Sequence, residues 1–128
     1  MQFSCIFYQT KKVFTNPKTI RILEELISFA TKDGDLVLDF FSGSGSTAHA
    51  TMKLNAQEGT SRKSILVQLP ELNYEILGGE KEPKKGTSGE AFRAGFETIA
   101  DICKERIRRA SKKIREENPA YQGDLGFK

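Results

Sequence analysis

The chain has 128 residues, of which 38% are apolar and 29% charged, with a formal net charge of +3. That is enough for one small domain with a modest core, and no apolar run approaches the length of a membrane span. The opening MQFSCIFYQTKK has too short an apolar stretch, and no preceding basic region, for a secretory signal. The two cysteines, Cys5 and Cys103, form no metal or redox spacing and read as free thiols in a reducing, cytoplasmic setting.

In chain order, QFSCIFYQ (2–9) has the composition of a strand. A helix follows, with Asn16 as cap and Pro17 at its first position, where a missing N–H costs nothing. Ile20, Leu23, Ile27 and Ala30, with Leu26 alongside, form its apolar stripe, and Gly34 in KDGD ends it. DLVLDFF (35–41) reads as a strand buried on both faces, as in a parallel sheet. Ser42 to Ser46 form a turn, and a second helix is expected from Ser46 to about Asn55. After the loop EGTSRK, SILVQL (64–69) is a second buried strand stopped by Pro70. Strand, helix and strand make a βαβ unit with parallel strands. GGEKEPKKGTSGE (78–90) reads as a flexible polar linker. Residues 91–118 are predicted as one long helix, with Phe96, Ile99, Cys103, Ile107, Ala110 and Ile114 on one side and basic residues spread over the other. PAYQGDLGFK (119–128) looks like a tail that stops mid-element.

The turn carries the chemistry. Gly43 and Gly45 permit backbone angles closed to other residues and let a ligand approach the main chain. The helix that follows presents unpaired N–H groups and partial positive charge. GSGSTA fits the G-x-G-x-x-A form of a dinucleotide fingerprint, and Glu71 follows the second strand where a ribose-binding acid should sit. S-adenosylmethionine is the competing ligand, with a carboxylate, an ammonium, a sulfonium and a ribose but no phosphate. Asp39, at the end of the first strand, favours this methyl donor, since a carboxylate there repels pyrophosphate and attracts the ammonium or sulfonium.

These residues are similar to those of a known family. LDFFSGSGSTAHA resembles the cofactor-binding motif I of site-specific DNA methyltransferases, above all the modification subunits of type III restriction–modification systems. There the turn is G-S-G-T-T, whereas this chain has Ser46. FTNPKT (14–19) resembles the family's motif X, with Thr19 where proline is frequent. ILVQLPE (65–71) resembles the strand ending in the ribose-binding acid, and residues 94–114 resemble the helix that follows, so the likeness runs from 13 to 128. It implies a single partial methyltransferase domain of the Rossmann-like, class I S-adenosylmethionine-dependent kind, α/β with parallel strands and flanking helices. Residues 13–77 would be its cofactor-binding βαβ region. Carried onto this sequence, it implies that Asp39, Phe40, Phe41, Ser42, Gly43, Ser44, Gly45 and Ser46 line the cofactor pocket. Asn16, Pro17 and Lys18 would flank it, and Glu71 would hold the ribose.

Amino-methylating enzymes also need a [D/N/S]-P-P-[Y/F/W] motif, whose polar groups accept hydrogen bonds from the amine and whose ring stacks on the flipped base. The four prolines, at 17, 70, 83 and 119, are never doubled; NPAY (118–121) follows a charged helix and reads as a helix stop. In the resembled group the catalytic motif precedes motif X. The chain is therefore expected to be the C-terminal cofactor part of an adenine-N6 DNA methyltransferase, inactive alone, with the remaining catalytic and target-recognition part, DNA and a restriction subunit as partners. Arg106, Arg109 and Lys113 on the basic helix are candidates for DNA phosphate contacts, against the plain reading of a solvated face. His49 reads as a packed or exposed helix residue. An uncovered sheet edge implies self-association. The other readings are a fragment of a nicotinamide-dependent oxidoreductase, which Asp39 disfavours, and a non-enzymatic DNA-binding or assembly module built on the basic helix.

Overall fold

The computed structural model describes residues 20–126. The expected strand at 2–9, Cys5 and the candidates Asn16, Pro17 and Lys18 lie outside the described residues. The order is α1 (Ile20–Ala30), β1 (Leu36–Asp39), α2 (Ser46–Glu58), β2 (Lys63–Leu66), β3 (Tyr74–Leu77), β4 (Glu80–Pro83), α3 (Thr87–Arg93) and α4 (Ile99–Glu117). β1 and β2 pair in parallel, with Leu38 opposite Ile65 and Asp39 opposite Leu66. The βαβ reading is thus realised as an α/β unit.

Three helices cover one face of this small sheet. Ile27 of α1 packs with Ala50 and Leu54 of α2, joined by Ile20, Leu23 and Val37. Ala48 and Met52 of α2 pack with Cys103, Ile107, Ala110 and Ile114 of α4, joined by Leu66. α1 uses less of its stripe than its sequence suggests, because Leu26 and Ala30 are exposed. α2 runs one turn past Asn55 and stops at Gly59, which takes the left-handed conformation at φ 68° and donates its N–H to the Asn55 carbonyl. Among the described residues the other face of the sheet is open: Leu36 is 55% and Leu38 49% exposed, with Phe40, Ile65, Val67 and Leu69 also exposed. The expectation of strands buried on both faces is therefore corrected. α1, α2 and α4 lie on the side of Val37 and Leu66, and alternation sends Leu36 and Leu38 to the opposite side.

Three further expectations are revised. The linker at 78–90 is ordered as an antiparallel hairpin and a helix. Gly78 and Gly79 both have positive φ, at 61° and 90°, as a two-residue hairpin turn requires. The predicted long helix is two helices. Gly95 at φ 95° breaks the run, and Thr98 restarts it with a reciprocal capping box to Asp101. Asn73 closes this insertion from inside: its N–H donates to the Glu97 carbonyl at 2.8 Å and its Nδ2 to the Phe96 carbonyl at 2.9 Å. Finally, the tail is packed. Tyr121 Oη donates to the Thr60 carbonyl at 2.8 Å, and Leu125 is buried in the α2–α4 core.

Candidate functional site

The glycine turn leaves the sheet at the carboxyl end of β1 and enters α2, beside the carboxyl end of β2. Its shape is set by local bonds. The Ser42 N–H donates to the Val67 carbonyl at 3.2 Å and the Gly45 N–H to the Ser42 carbonyl at 2.7 Å. Gly43 and Gly45 have φ of 51° and 78°, both in the left-handed region that glycine tolerates. The Gly43 N–H is taken by Gln68 Oε1 at 2.7 Å, so this amide is held from the segment just beyond β2. Gly45 caps α2 without a side-chain hydrogen bond, so among the described residues the first-turn donors of that helix have no side-chain acceptor.

Asp39 is bent back over the turn. Its Oδ1 accepts from the Phe41 N–H at 3.0 Å and its Oδ2 accepts from Thr47 Oγ1 at 2.5 Å. Each carboxylate oxygen has a second lone pair, so the group can fix the turn and still receive a donor from a ligand. Phe40 and Phe41 stand beside it at 63% and 89% exposure. Glu71 is exposed after β2, with its carbonyl accepting from the Ile99 N–H at 3.0 Å. Because β1 and β2 are adjacent and parallel, both acids leave the same end of the sheet, where ligands of open α/β sheets bind.

The predicted pocket residues separate into two sets. Asp39, Phe40, Phe41 and Gly43 reach solvent, whereas Ser42, Ser44, Gly45 and Ser46 are buried. The buried set rests on α4: Ser42 Oγ lies 3.8 Å from Cys103 Sγ, and Arg106 donates to Ser44 Oγ at 2.9 Å. Burial pushes the Cys103 thiol up in pKa, so it stays protonated and serves as packing.

The DNA-contact candidates also separate. Arg109 and Lys113 are exposed, the first paired with Glu105 at 2.6 Å and the second facing Glu117 at 3.7 Å. Arg106 is only 6% exposed and is withdrawn from that role. It sits one helical step from Cys103 and beside Ile107, so it belongs to the buried stripe. His49 is largely buried between α2 and α4. Burial, reinforced by the positive charges of Arg106, Lys53 and Lys113, lowers its pKa from 6.5 to about 3. A neutral, packed imidazole is the plain reading of that residue. Sequence reading missed Gln68, Thr47, Cys103 and Arg106 as supports of the turn. The one signal available was the spacing of Arg106 from Cys103, which puts it on the inner face.

Among the described residues no group of acidic, histidine and cysteine side chains could hold a metal ion, and no helix is long and apolar enough to cross a membrane.

Residues 2–104 match the DNA methylase family. The chain is similar to the Mod subunit of the type III restriction-modification enzyme EcoP15I from Escherichia coli, with 45% identity over 123 residues, 96% of this chain and 16% of that protein. It is similar to the StyLTI Mod subunit from Salmonella typhimurium, with 42% identity over 116 residues, 91% of this chain and 16% of that protein. The type II methyltransferase M.KpnI from Klebsiella pneumoniae is 38% identical over 96 residues, 75% of this chain and 20% of that protein. The chain therefore spans about a sixth to a fifth of the length of these relatives.

Proposed function

The chain belongs to the DNA methylase family, and on that premise we propose that it is the S-adenosylmethionine-binding part of a type III modification subunit. Its domain is of the Rossmann-like class I methyltransferase kind, and the whole subunit methylates adenine N6 in DNA. The carrying observation is the pairing of Asp39 with an α2 N-terminus that no side chain among the described residues caps, at one glycine turn. A carboxylate and a helix N-terminus attract opposite charges. A ligand with an ammonium and a carboxylate at one end satisfies both; a pyrophosphate satisfies only the helix.

The residues fit such a cofactor, which supplies an electrophilic methyl group on sulfur. Asp39 accepts from the ammonium, Phe40 and Phe41 offer exposed apolar rings at the pocket's edge, and Glu71 accepts from the ribose hydroxyls. Asn16, Pro17 and Lys18 are assigned to the cofactor through their likeness to motif X alone. The turn's role is binding and orientation, which in group transfer supplies much of the rate. Base recognition needs a doubled-proline motif, and the sequence contains none. The chain is accordingly inactive alone and works with the remaining catalytic and target-recognition part of the subunit, on DNA, with a restriction subunit as further partner. The exposed bases of α4, Arg109 and Lys113 among them, meet DNA phosphates. A steep fall of DNA affinity with rising salt supports that contact, and a flat dependence removes it.

Ultraviolet cross-linking with methyl-labelled S-adenosylmethionine tests the cofactor assignment. Label should enter peptides spanning residues 36–50 and be competed by S-adenosylhomocysteine but not by NAD. Label elsewhere, or competition by NAD alone, would overturn it.

A further inference from the structure

The chain buries two arginines, and they are treated differently. Arg62, 7% exposed, pairs with Glu58 at 2.8 Å and also donates to the Thr60 and Thr31 hydroxyls and the Thr31 carbonyl. Every part of that guanidinium is answered, and it ties the ends of α1 and α2 to the start of β2. Arg106, 6% exposed, makes one hydrogen bond, to Ser44 Oγ, and its Nε is buried with no partner among the described residues. It has no carboxylate partner there either. Desolvating a cation without a counter-charge is costly, and an aliphatic side chain at this point of α4 would pack among Cys103, Ile107 and Ala110 at no such cost.

The position of the unanswered cation is informative. α4 forms the back wall of the glycine turn. A Cβ on Gly45 would lie 2.9 Å from Cys103 Sγ and 3.5 Å from Ile107, so helix and turn are in direct contact. Arg106 reaches Ser44, the residue between the two left-handed glycines, and Ser44 Oγ lies 3.3 Å from Ser46 Oγ at the first position of α2. One side chain thus connects the back wall to the two buried serines that shape the turn. It also brings a full positive charge to the place where α2 presents its positive end.

We propose that Arg106 is the positioning residue of the cofactor turn, fixing Ser44 from behind and supplying the positive charge that complements the cofactor's carboxylate. This rests on the cofactor reading above, and its two halves are tested separately. The first half needs no ligand. In Arg106→Met the amides of Gly43 to Thr47 should exchange hydrogen about tenfold faster, with the β3–β4 hairpin unchanged; unchanged exchange at the turn overturns the positioning role.

The second half compares S-adenosylmethionine with its decarboxylated form. Arg106→Met should lose about tenfold in affinity for the first and much less for the second, and Arg106→Lys should regain part of the difference. A merely structural role would weaken both ligands alike, and that outcome overturns the charge complementarity. Arg106→Lys keeps the buried cation and serves where the methionine variant does not fold. If the wild-type chain binds neither ligand, the cofactor reading and the charge half fall together, while the exchange measurement still decides whether Arg106 holds the turn.

Discussion

At the glycine turn single residues carry two duties. Asp39 binds the Phe41 amide and the Thr47 hydroxyl within the chain, so the acid that suggests a cationic ligand also builds the loop that would hold it. Gly45 combines a left-handed backbone with a contact that leaves no room for a methyl group. Gly45→Ala should therefore cost about 1–3 kcal/mol of stability, read by denaturant unfolding; a neutral result would mean that α4 does not press on the turn. His49 gives a pH signature. The native state keeps its imidazole neutral down to about 3, against an ordinary value of 6.5 for histidine. Between those values the unfolded chain binds more protons, so stability is full above pH 6.5 and falls as the pH is lowered. The slope has an upper limit of about 1.4 kcal/mol per pH unit. His49→Gln should flatten the fall, and an unaltered profile would show that other groups cause it. The glycines and Asp39 were legible in the sequence because spacing and residue type alone define a strand-to-helix turn. Arg106 was not, because a cation in a basic helix reads as solvated until the helix is docked.

At the scale of elements, apolar runs were the reliable signal. β1, β2 and the helix between them follow from LVLDFF, SILVQL and a glycine at each end of the helix. The insertion from β3 to α3 does not, because the strand EKEP is polar and its partner YEIL leaves Ile76 and Leu77 exposed instead of packing them in a core. Its order comes from backbone features: paired positive-φ glycines, the buried Asn73 and the Leu72–Thr98 bridge. The division of the long helix at Gly95 was likewise hidden, since the apolar spacing continues across the break through Phe96, which packs against Ala91 and Ile102. Thr98 then sets where α4 begins, and with it the register that places Cys103 and Arg106 on the turn. Thr98→Ala should remove about 1 kcal/mol of stability in thermal or denaturant unfolding. A change within error would mean that packing alone fixes the start of α4.

At the scale of the whole molecule, helices cover one face of the β1–β2 sheet and the described residues leave the other uncovered. Leu36, Leu38 and Phe40 share that open face with Ile65, Val67 and Leu69. A contiguous apolar surface of this kind marks an interface. On the proposed reading, the rest of the subunit covers it, and the isolated chain should self-associate through it. Light scattering across a concentration series should show mass rising with concentration, and Ile65→Glu should return the chain to monomer. A monomeric wild-type chain at high concentration would refute the association. The sequence announced both strands as doubly buried, a pattern suited to a sheet with two covered faces; the described residues supply one.

The central claim is that the turn holds a methyl donor through the opposed charges of Asp39 and the α2 N-terminus. Calorimetric titration of the chain with S-adenosylmethionine, S-adenosylhomocysteine and NAD tests it most directly. Saturable one-to-one binding of the two methionine-derived ligands, with no heat from NAD, is the predicted result. Binding of NAD in preference, or no binding of either methionine-derived ligand, would contradict it.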